Sequence, residues 1–405
     1  MSLVSSFVRL PVRPVVLLFA IIGTAASLFI VARKRNSSER YLRDEKPDTV
    51  HGKDIRVARI MVYPIKSCAG IDLNTSAYDK EGFEFDRKWM VVDVEKNKQL
   101  SARDNRGIKL VRVFPAIKRD STSPDGGVLH VSFPDSETTP SFSVPLIPSP
   151  DTLSGWDKYG GFDLWGHAEE GYIVDHADDF SESTPALSPS EILSEYIGRR
   201  VLLVMNTPAP RPLSDFVPLD TTKVNYEGGS TVRYSDFSPF LLCSTKSIED
   251  AEERVWAMAR GESVGEGCTP LDGSVDVDSE WARKDGAKRL LVDRFRPNVV
   301  MSGVEDPFGE DDWQEIAIGP NHLGSNFLLP LRCARCMFPN VDPLDGNRDL
   351  KMPNNAMMQY RRVEAILSSK YCFGMHMVPA DAAGVLNVGD SVVVKRSMVN
   401  PKLVI

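Results

Sequence analysis

The sequence contains no G-x-G-x-x-G, no G-x-x-x-x-G-K-[ST], no H-E-x-x-H and no G-x-S-x-G. These absences remove the usual dinucleotide and P-loop cradles, the helical zinc-protease site and the nucleophile elbow of the α/β-hydrolases. Cysteine and histidine are scarce, six of each in 405 residues, so the chain is not a disulfide scaffold, which is short and cysteine-dense. No run of Lys and Arg interleaved with aromatics occurs in the body, and the net charge is -8. A broad basic surface for nucleic acid is therefore excluded, since that binding rests on phosphate neutralisation. No internal repeat or heptad pattern occurs, which excludes solenoids and coiled coils.

What remains is ordinary globular material, 42% hydrophobic and 26% charged, long enough for two or three domains with full cores. The exception is Val15 to Ala32, "VVLLFAIIGTAASLFIVA", an uncharged stretch followed at once by Arg33, Lys34 and Arg35. Its length just spans a hydrocarbon core, and a basic cluster rather than a small-residue cleavage site follows, so an uncleaved anchor is expected rather than a signal peptide. The denser positive charge after the span holds the body on the cytosolic side. Arg9 and Arg13 in an acid-free leader suit the mitochondrial outer membrane, with the endoplasmic reticulum as the alternative. On the cytosolic side Cys68, Cys243, Cys268, Cys333, Cys336 and Cys372 stay reduced.

From Ile55 the pattern is of short strands: "IRVARIMVYPI", "KWMVVDV", "QLSAR", "KLVRVFPAI" and "GVLHVSF". Alternating β-branched and aromatic residues with turns at short spacing predict a sheet that curls into a barrel. Pro134 to Ser154 reads as a mobile surface loop. The segment "SPSEILSEYIG" predicts a helix with Ser188 as N-cap, Pro189 at its first position and Gly198 at its end. Pro208 to Pro212 marks the domain boundary. In the second half, "SIEDAEERVWAMA" predicts a helix, Gly261 to Glu280 a variable acidic loop, and "GVLNVGDSVVVKR" a pair of barrel-closing strands around a turn at Val388 to Asp390. The expected fold is mainly β with some helices (α+β). A membrane anchor and tether (1–46) precedes an N-terminal β-barrel domain (47–207), which packs on a second β-barrel domain (208–400).

Chemistry concentrates in "LRCARCMFPNVDPLDG", where Cys333 and Cys336 stand three apart, each beside an arginine. Three readings are open at this point. Zinc would need Cys372 and His376 as further ligands. A redox dithiol would use Arg335 to lower the pKa of Cys336, although no thioredoxin-like βαβ pattern surrounds the pair. Two buried structural cysteines are the third. Four other stretches join small polar residues to cations beside Gly or Pro: Lys66 and Ser67 in "YPIKSCAG", Arg87 in "FDRKWMV", Ser235, Asp236 and Ser238 in "YSDFSPF", and Arg296 and Asn298 in "FRPNVV". Cations, hydroxyls and exposed amides at strand ends suit a phosphate monoester, and a nearby thiolate suits a soft metal.

Taken in order, "YPIKSCAGIDL", "DRKWMVVD", "YSDFSPFLLCS", "RFRPNVVMSG", "RCARCMFPNVDPLDG" and "VGDSVVV" resemble the MOSC family with its N-terminal β-barrel companion, and within it the mitochondrial amidoxime-reducing components. The likeness runs from about Ile55 to Arg396. It implies the molybdenum cofactor, a Mo-molybdopterin, with Cys336 as the metal ligand and Cys333 as a neighbour. Lys66, Ser67, Arg87, Asp236, Ser238, Arg296 and Asn298 would hold the pterin and its phosphate, the backbone around Ala334 and Arg335 would support the metal end, and Asp342 would orient solvent or substrate. Arg335 would keep the Cys336 sulfur ionised. Phe237 and His376 depart from residues found in relatives, and both loop insertions are long. The implied activity is reduction of small N-hydroxylated compounds (amidoximes, hydroxylamines, N-oxides). Electrons would come from a cytochrome b5 and its NADH-cytochrome b5 reductase, since the chain has no flavin, haem or iron–sulfur motif of its own. The competing expectations are a cofactor-binding or sulfur-carrier module related to molybdenum cofactor sulfurase, and a zinc-stabilised membrane scaffold.

Overall fold

A computed structural model describes residues 54–174, 187–213, 231–263, 280–285, 287–320, 324–364 and 369–398, together with the strand Glu45–Lys46. The first long strand, β1 (Arg56–Val62), is followed by five strands that form a closed barrel: β2 (Trp89–Asp93), β3 (Lys98–Gln99), β4 (Lys158–Leu164), β5 (His167–Ile173) and β6 (Val201–Asn206). The β4–β5 hairpin turns through Trp165 and Gly166, both with positive φ. Such a two-residue turn matches the twist of the strands it joins. The core of this half gathers Trp89, Val91, Leu110, Leu129, Phe142, Leu193 and Leu203.

Six further strands belong to a nine-stranded sheet: β7 (Phe240–Ser244), β8 (Val299–Ser302), β9 (Trp313–Gly319), β10 (Ser325–Ala334), β11 (Cys372–Pro379) and β12 (Ser391–Met398). Glu45–Lys46 and Ile71–Leu73 lie at its two ends, and the remaining seven strands run β12-β9-β10-β11-β7-β8-β1. The pairing of Arg56 with Ser391 closes these seven into a ring. The reading of a mainly β protein built from barrels, with few helices, therefore holds. The strands on either side of Val388 to Asp390 do not pair with each other, however: Ala383–Asn387 pairs with Thr75–Asp79 in a separate three-stranded sheet, and only Ser391–Met398 belongs to the ring. The first long strand of the chain belongs to the C-terminal ring, however, so the sheets do not divide at residue 207.

Two helices follow their sequence signals. Helix α1 (Pro189–Ile197) has a capping box between Ser188 and Glu191 and ends at Gly198 in the left-handed conformation (φ 77). Helix α2 (Thr245–Ala259) starts where the Ser244 side chain accepts from the Ser247 N–H.

Two expectations need correction. Much of "KLVRVFPAI" is not strand: Asn105–Arg112 is a 3₁₀ helix with Leu110 and Val111 buried, because the same alternation also satisfies a helical face. The strand begins only at Phe114. Pro134 to Ser154 is not simply a surface loop either. Phe142–Pro145 pairs antiparallel with Gly127–Ser132, and Phe142, Val144 and Leu146 enter the barrel core. Apolar residues at period two outweighed the Pro, Ser and Thr composition. Among the described residues no helix is long and apolar enough to cross a membrane. The stretch Val15 to Ala32, and most of the acidic loop Gly261 to Glu280, lie outside the described residues.

Truncating the core contact of this insertion tests its role. Phe142→Ala is expected to lose about 3 kcal/mol of stability, as for large-to-small core substitutions. Urea unfolding monitored by tryptophan fluorescence measures it, whereas a loop residue would cost almost nothing.

Candidate active site

An open cleft lies where turns at strand ends from both halves converge. Its wall includes Lys66, Ser67, Arg87, Asp236, Ser238, Arg296, Asn298, Ala334, Arg335 and Cys336, residues expected from five separate motifs, and also Ser101, Arg103, Ser235, Cys333 and His376. The cation–carboxylate balance is lopsided. Lys66, Arg87, Arg103, Arg296 and Arg335 make five cations against the single carboxylate of Asp236, an excess of four positive charges.

The local folding of each motif explains how the cations stay there. After β1 the chain turns at Pro64, and Ile65 bridges to Trp89, with the Lys66 N–H donating to Trp89 O (2.9 Å). Ser67, Arg87 and Arg296 all have φ in the left-handed region (70°, 48° and 56°). That conformation costs a non-glycine residue free energy and clusters where function demands it. Buried Asp86 braces two of these turns: it accepts from the Tyr63 N–H (2.8 Å) and from Arg87 Nη1 (2.5 Å). The guanidinium groups of Arg87 and Arg296 both stack on the Tyr63 ring, 4.4 and 4.0 Å from its centre.

Burial pulls the Lys66 ammonium down to about 8, opposed by Asp236. Its Nζ donates to Tyr234 O (2.7 Å) and to the Asp236 carboxylate. Burial favours the neutral form of Asp236, but Lys66 and Arg103 outweigh it and hold the carboxyl well below the usual range. Trp165, at the tip of the β4–β5 hairpin, donates through Nε1 to the same carboxylate (3.1 Å), and the Arg103 guanidinium stacks on the indole at 4.2 Å. Burial also lowers Arg296 to about 10. Its Nη1 donates to Cys68 O (2.7 Å), while its Nη2, the Ser235 hydroxyl and Arg335 Nε are buried with no hydrogen-bond partner among the described residues. Buried donors without partners are costly, and three of them around a cationic cleft fit an anionic group with several acceptor oxygens.

Three expected site residues do other work. Asp342 does not line the cleft; its Oδ2 accepts from Arg294 (2.6 Å) and Lys288 (2.8 Å), and its Oδ1 from the Leu344 N–H. It is a buried ion-pair partner, because the acidic turn folds back onto Arg294. Asn298 is a brace: its Oδ1 accepts from Arg87 Nη1 and the Leu241 N–H, and its Nδ2 donates to Met61 O. Ser238 donates to Phe240 O (2.8 Å) and meets His376 Nδ1 (2.8 Å), which occupies its hydroxyl.

The two cysteines of the C-x-x-C differ. Cys336 is half-buried beside exposed Met337, with its carbonyl held by Asn354 Nδ2 (3.1 Å). Cys333 is buried at the end of β10. Arg335 donates from Nη1 to the Cys333 sulfur (3.1 Å) and from Nη2 to Phe295 O (2.5 Å), so its hydrogen bond goes to Cys333 rather than to Cys336 as expected. Among the described residues no cluster of three or more His, Cys, Asp or Glu side chains forms a metal site. Neither Cys372 nor His376 completes a zinc set with the pair.

Residues 54–182 match the MOSC N-terminal beta barrel domain, and residues 272–393 match the MOSC domain. The chain is a MOSC-domain protein. It is 26% identical to mouse "Mitochondrial amidoxime-reducing component 1" over 92% of this chain and 90% of the relative. Against the human protein of the same name identity is 25%, over 83% of this chain and 82% of the relative. Similarity to the "Molybdenum cofactor sulfurase" of Aspergillus clavatus is 24% over 79% of this chain but only 37% of that longer protein. The MOSC match begins at residue 272, so Asp236 and Ser238 on the approach to β7 lie between the two matched regions.

Arg103 and Ser101 were not among the expected site residues, and His376 was expected only as a zinc ligand. Ser101 and Arg103 sit in "QLSAR", where the only local signal was a strand end beside a turn. His376 lies within the apolar run of β11 and becomes a wall residue only through the pairing of β10 with β11.

The structural role of Asp342 is testable. Burial raises its carboxyl, but Lys288 and Arg294 dominate and hold it below its usual value. The stabilisation is present above the unfolded carboxyl's pKa of about 4 and is lost as pH falls through the lower folded value. Asp342→Ala, which leaves Arg294 buried without its carboxylate, is expected to cost about 3 kcal/mol at pH 7. Chemical denaturation checks it, and the anion affinity of the cleft should not change.

Proposed function

We propose that this MOSC-domain protein is a molybdenum-cofactor-dependent reductase of N-hydroxylated compounds. The observation that carries the reading is the convergence of five separated motifs on one cleft with four excess positive charges and a half-exposed cysteine, Cys336, in its wall. Relatives named as amidoxime-reducing components, matched over most of their length, support it.

In this reading Lys66, Arg87, Arg103 and Arg296 neutralise the cofactor's terminal phosphate, and the Ser235 hydroxyl and Arg296 Nη2 gain the acceptors they lack. Charge-assisted bonds of this kind are the stronger class, and partial burial strengthens them further. Asp236, shared among Lys66, Trp165 and Arg103, holds these donors in the cleft wall. Cys336 supplies the thiolate ligand, and Asn354 fixes its backbone. The bound molybdenum centre supplies two-electron chemistry with oxygen uptake from an N–O bond, so that R=N–OH, two electrons and two protons become R=N–H and water. The chain's own contribution is to hold the phosphate end rigidly, through braced left-handed turns, and to leave the Cys336 end open to substrate.

Electrons come in this proposal from a cytochrome b5 with its NADH-dependent reductase. Val15 to Ala32 tethers the chain to the mitochondrial outer membrane with the body facing the cytosol, where shared anchoring raises the effective concentration of donor and acceptor. The sulfurase relatives favour a cofactor-carrying module, and this chain spans about a third of their length. The reductase reading is preferred because the amidoxime-reducing relatives are matched over most of their length and Cys336 stands half-exposed in the cleft wall.

Elemental analysis of purified protein is expected to find about one molybdenum per chain, and zinc alone would overturn the assignment. Cys336→Ser is expected to lose amidoxime reduction with an unchanged circular dichroism spectrum, whereas Cys333→Ser keeps most of it. Equal loss in both would favour a dithiol instead.

A further inference from the structure

One group of cleft side chains takes no part in holding a phosphate. Ser238 Oγ carries one hydrogen and donates it to Phe240 O (2.8 Å). Towards His376 it therefore accepts, so His376 Nδ1 bears a proton (2.8 Å) and Nε2 is left for another partner. Cys333 lines the same cleft wall as His376, and His376 favours ionisation of its thiol. Arg335 Nη1 approaches the same sulfur at 3.1 Å, and Phe237 packs edge-on against the imidazole at 5.9 Å. Cys333 and His376 stand on the paired strands β10 and β11, with Cys333 at a register shift between Arg332 and Ala334, and both side chains line the cleft. A thiol, a base and a hydroxyl that orients the base are the parts of an activated nucleophile.

We propose that Cys333 is a nucleophilic thiolate, activated by His376 and Arg335 and oriented through Ser238, that forms mixed disulfides with anionic low-molecular-weight disulfides entering the cleft. The Cys333 thiolate attacks one sulfur of RS–SR; the S–S bond breaks, a Cys333–S–SR bond forms, and the departing RS⁻ takes the proton held by the His376 imidazolium. The disulfide is itself the oxidant, and the net change is Cys–SH plus RSSR to Cys–S–SR plus RSH.

The groups facing the sulfur agree with this. Burial would raise the Cys333 thiol, but Arg335 and His376 outweigh it and bring it down to about 6. At the start of the neighbouring strand, burial pushes Tyr371, just before it, well above its ordinary value and Cys372 up to about 12, so both stay neutral near pH 7. Behind them, Asp311 is paired with Arg332 and Arg361, and Glu364 lies near Arg332. The excess positive charge of the cleft selects an anionic disulfide. Because the adduct occupies the cleft, thiolation and filling of the cleft by a phosphorylated cofactor exclude one another. This part of the proposal rests on the site reading above; the reactivity of Cys333 does not.

The test uses the full chain freed of cofactor at pH 7, with glutathione disulfide (anionic) and cystamine (cationic) as probes and adducts located by peptide mapping in a mass spectrometer. The Cys336→Ser variant traps any adduct before the neighbouring thiol can resolve it. The expected result is an adduct on Cys333, removed by dithiothreitol and formed about tenfold faster with glutathione disulfide than with cystamine. His376→Ala and His376→Gln, each checked for folding by circular dichroism, should slow it about tenfold or more. Alkylation of Cys333 by neutral iodoacetamide should be half-maximal near pH 6. An adduct found first on another cysteine, equal rates with the two probes, or rates unchanged in the folded His376 variants would overturn the proposal. Iodoacetamide reactivity rising only above pH 8 would do the same. None of these outcomes depends on molybdenum, so they are separable from failure of the reductase assignment.

Discussion

The mutual repulsion of five cations gathered around one carboxylate is the constraint on which this cleft is built. Partial burial removes the water that would screen them. Two carboxylates take part, Asp236 for Lys66 and Asp86, behind the wall, for Arg87, and the rest of the compensation comes from oxygens that carry no net charge: Tyr234 O for Lys66, Cys68 O for Arg296, Arg296 O for Arg87 and Phe295 O for Arg335. Carbonyl dipoles at strand ends stabilise each guanidinium or ammonium without cancelling the field. The cleft thus stays electropositive, and an arriving polyanion meets donors already aimed and partly desolvated.

Holding those carbonyls in place explains why the two halves are interwoven. Strand β1 lies in the C-terminal ring, paired with β8, while the turn that follows it bridges to Trp89 at the start of the N-terminal barrel. The "YPIKSC" turn is therefore clamped from both sides. Asn298 acts at the same junction, tying β1, β7 and Arg87 together through one amide. The left-handed conformations at Ser67, Arg87 and Arg296 persist because these braces over-determine them.

Much of this was legible in the sequence, and the misses have identifiable physical causes. Cations beside Gly or Pro at strand ends marked Lys66, Arg87 and Arg296, because such positions combine charge with exposed backbone, and Arg335 was marked by its place between the two cysteines. The helix start at Ser188 and the turn at Gly389 between two strands were readable from cap and turn chemistry, but which partners those strands take was not. Asp342 was misplaced because an acidic residue after a metal-ligand motif looks the same whether it faces the cleft or a buried arginine 48 residues earlier. His376 was undervalued because an apolar strand hides which of its side chains faces a wall.

The amino-acid sequence by itself determined the mainly β architecture, the two matched regions and the set of motifs that meet at the cleft. These follow from residue-to-residue periodicity and local turn chemistry, which act over a few positions. Only the tertiary structure decided what each member of the C-x-x-C does. Arg335 turns its guanidinium to Cys333, and the pairing of β10 with β11 puts His376 in the same cleft wall, while Cys336 stays half-exposed. Ionisation depends on distances across strands far apart in the chain, which neighbouring letters do not encode.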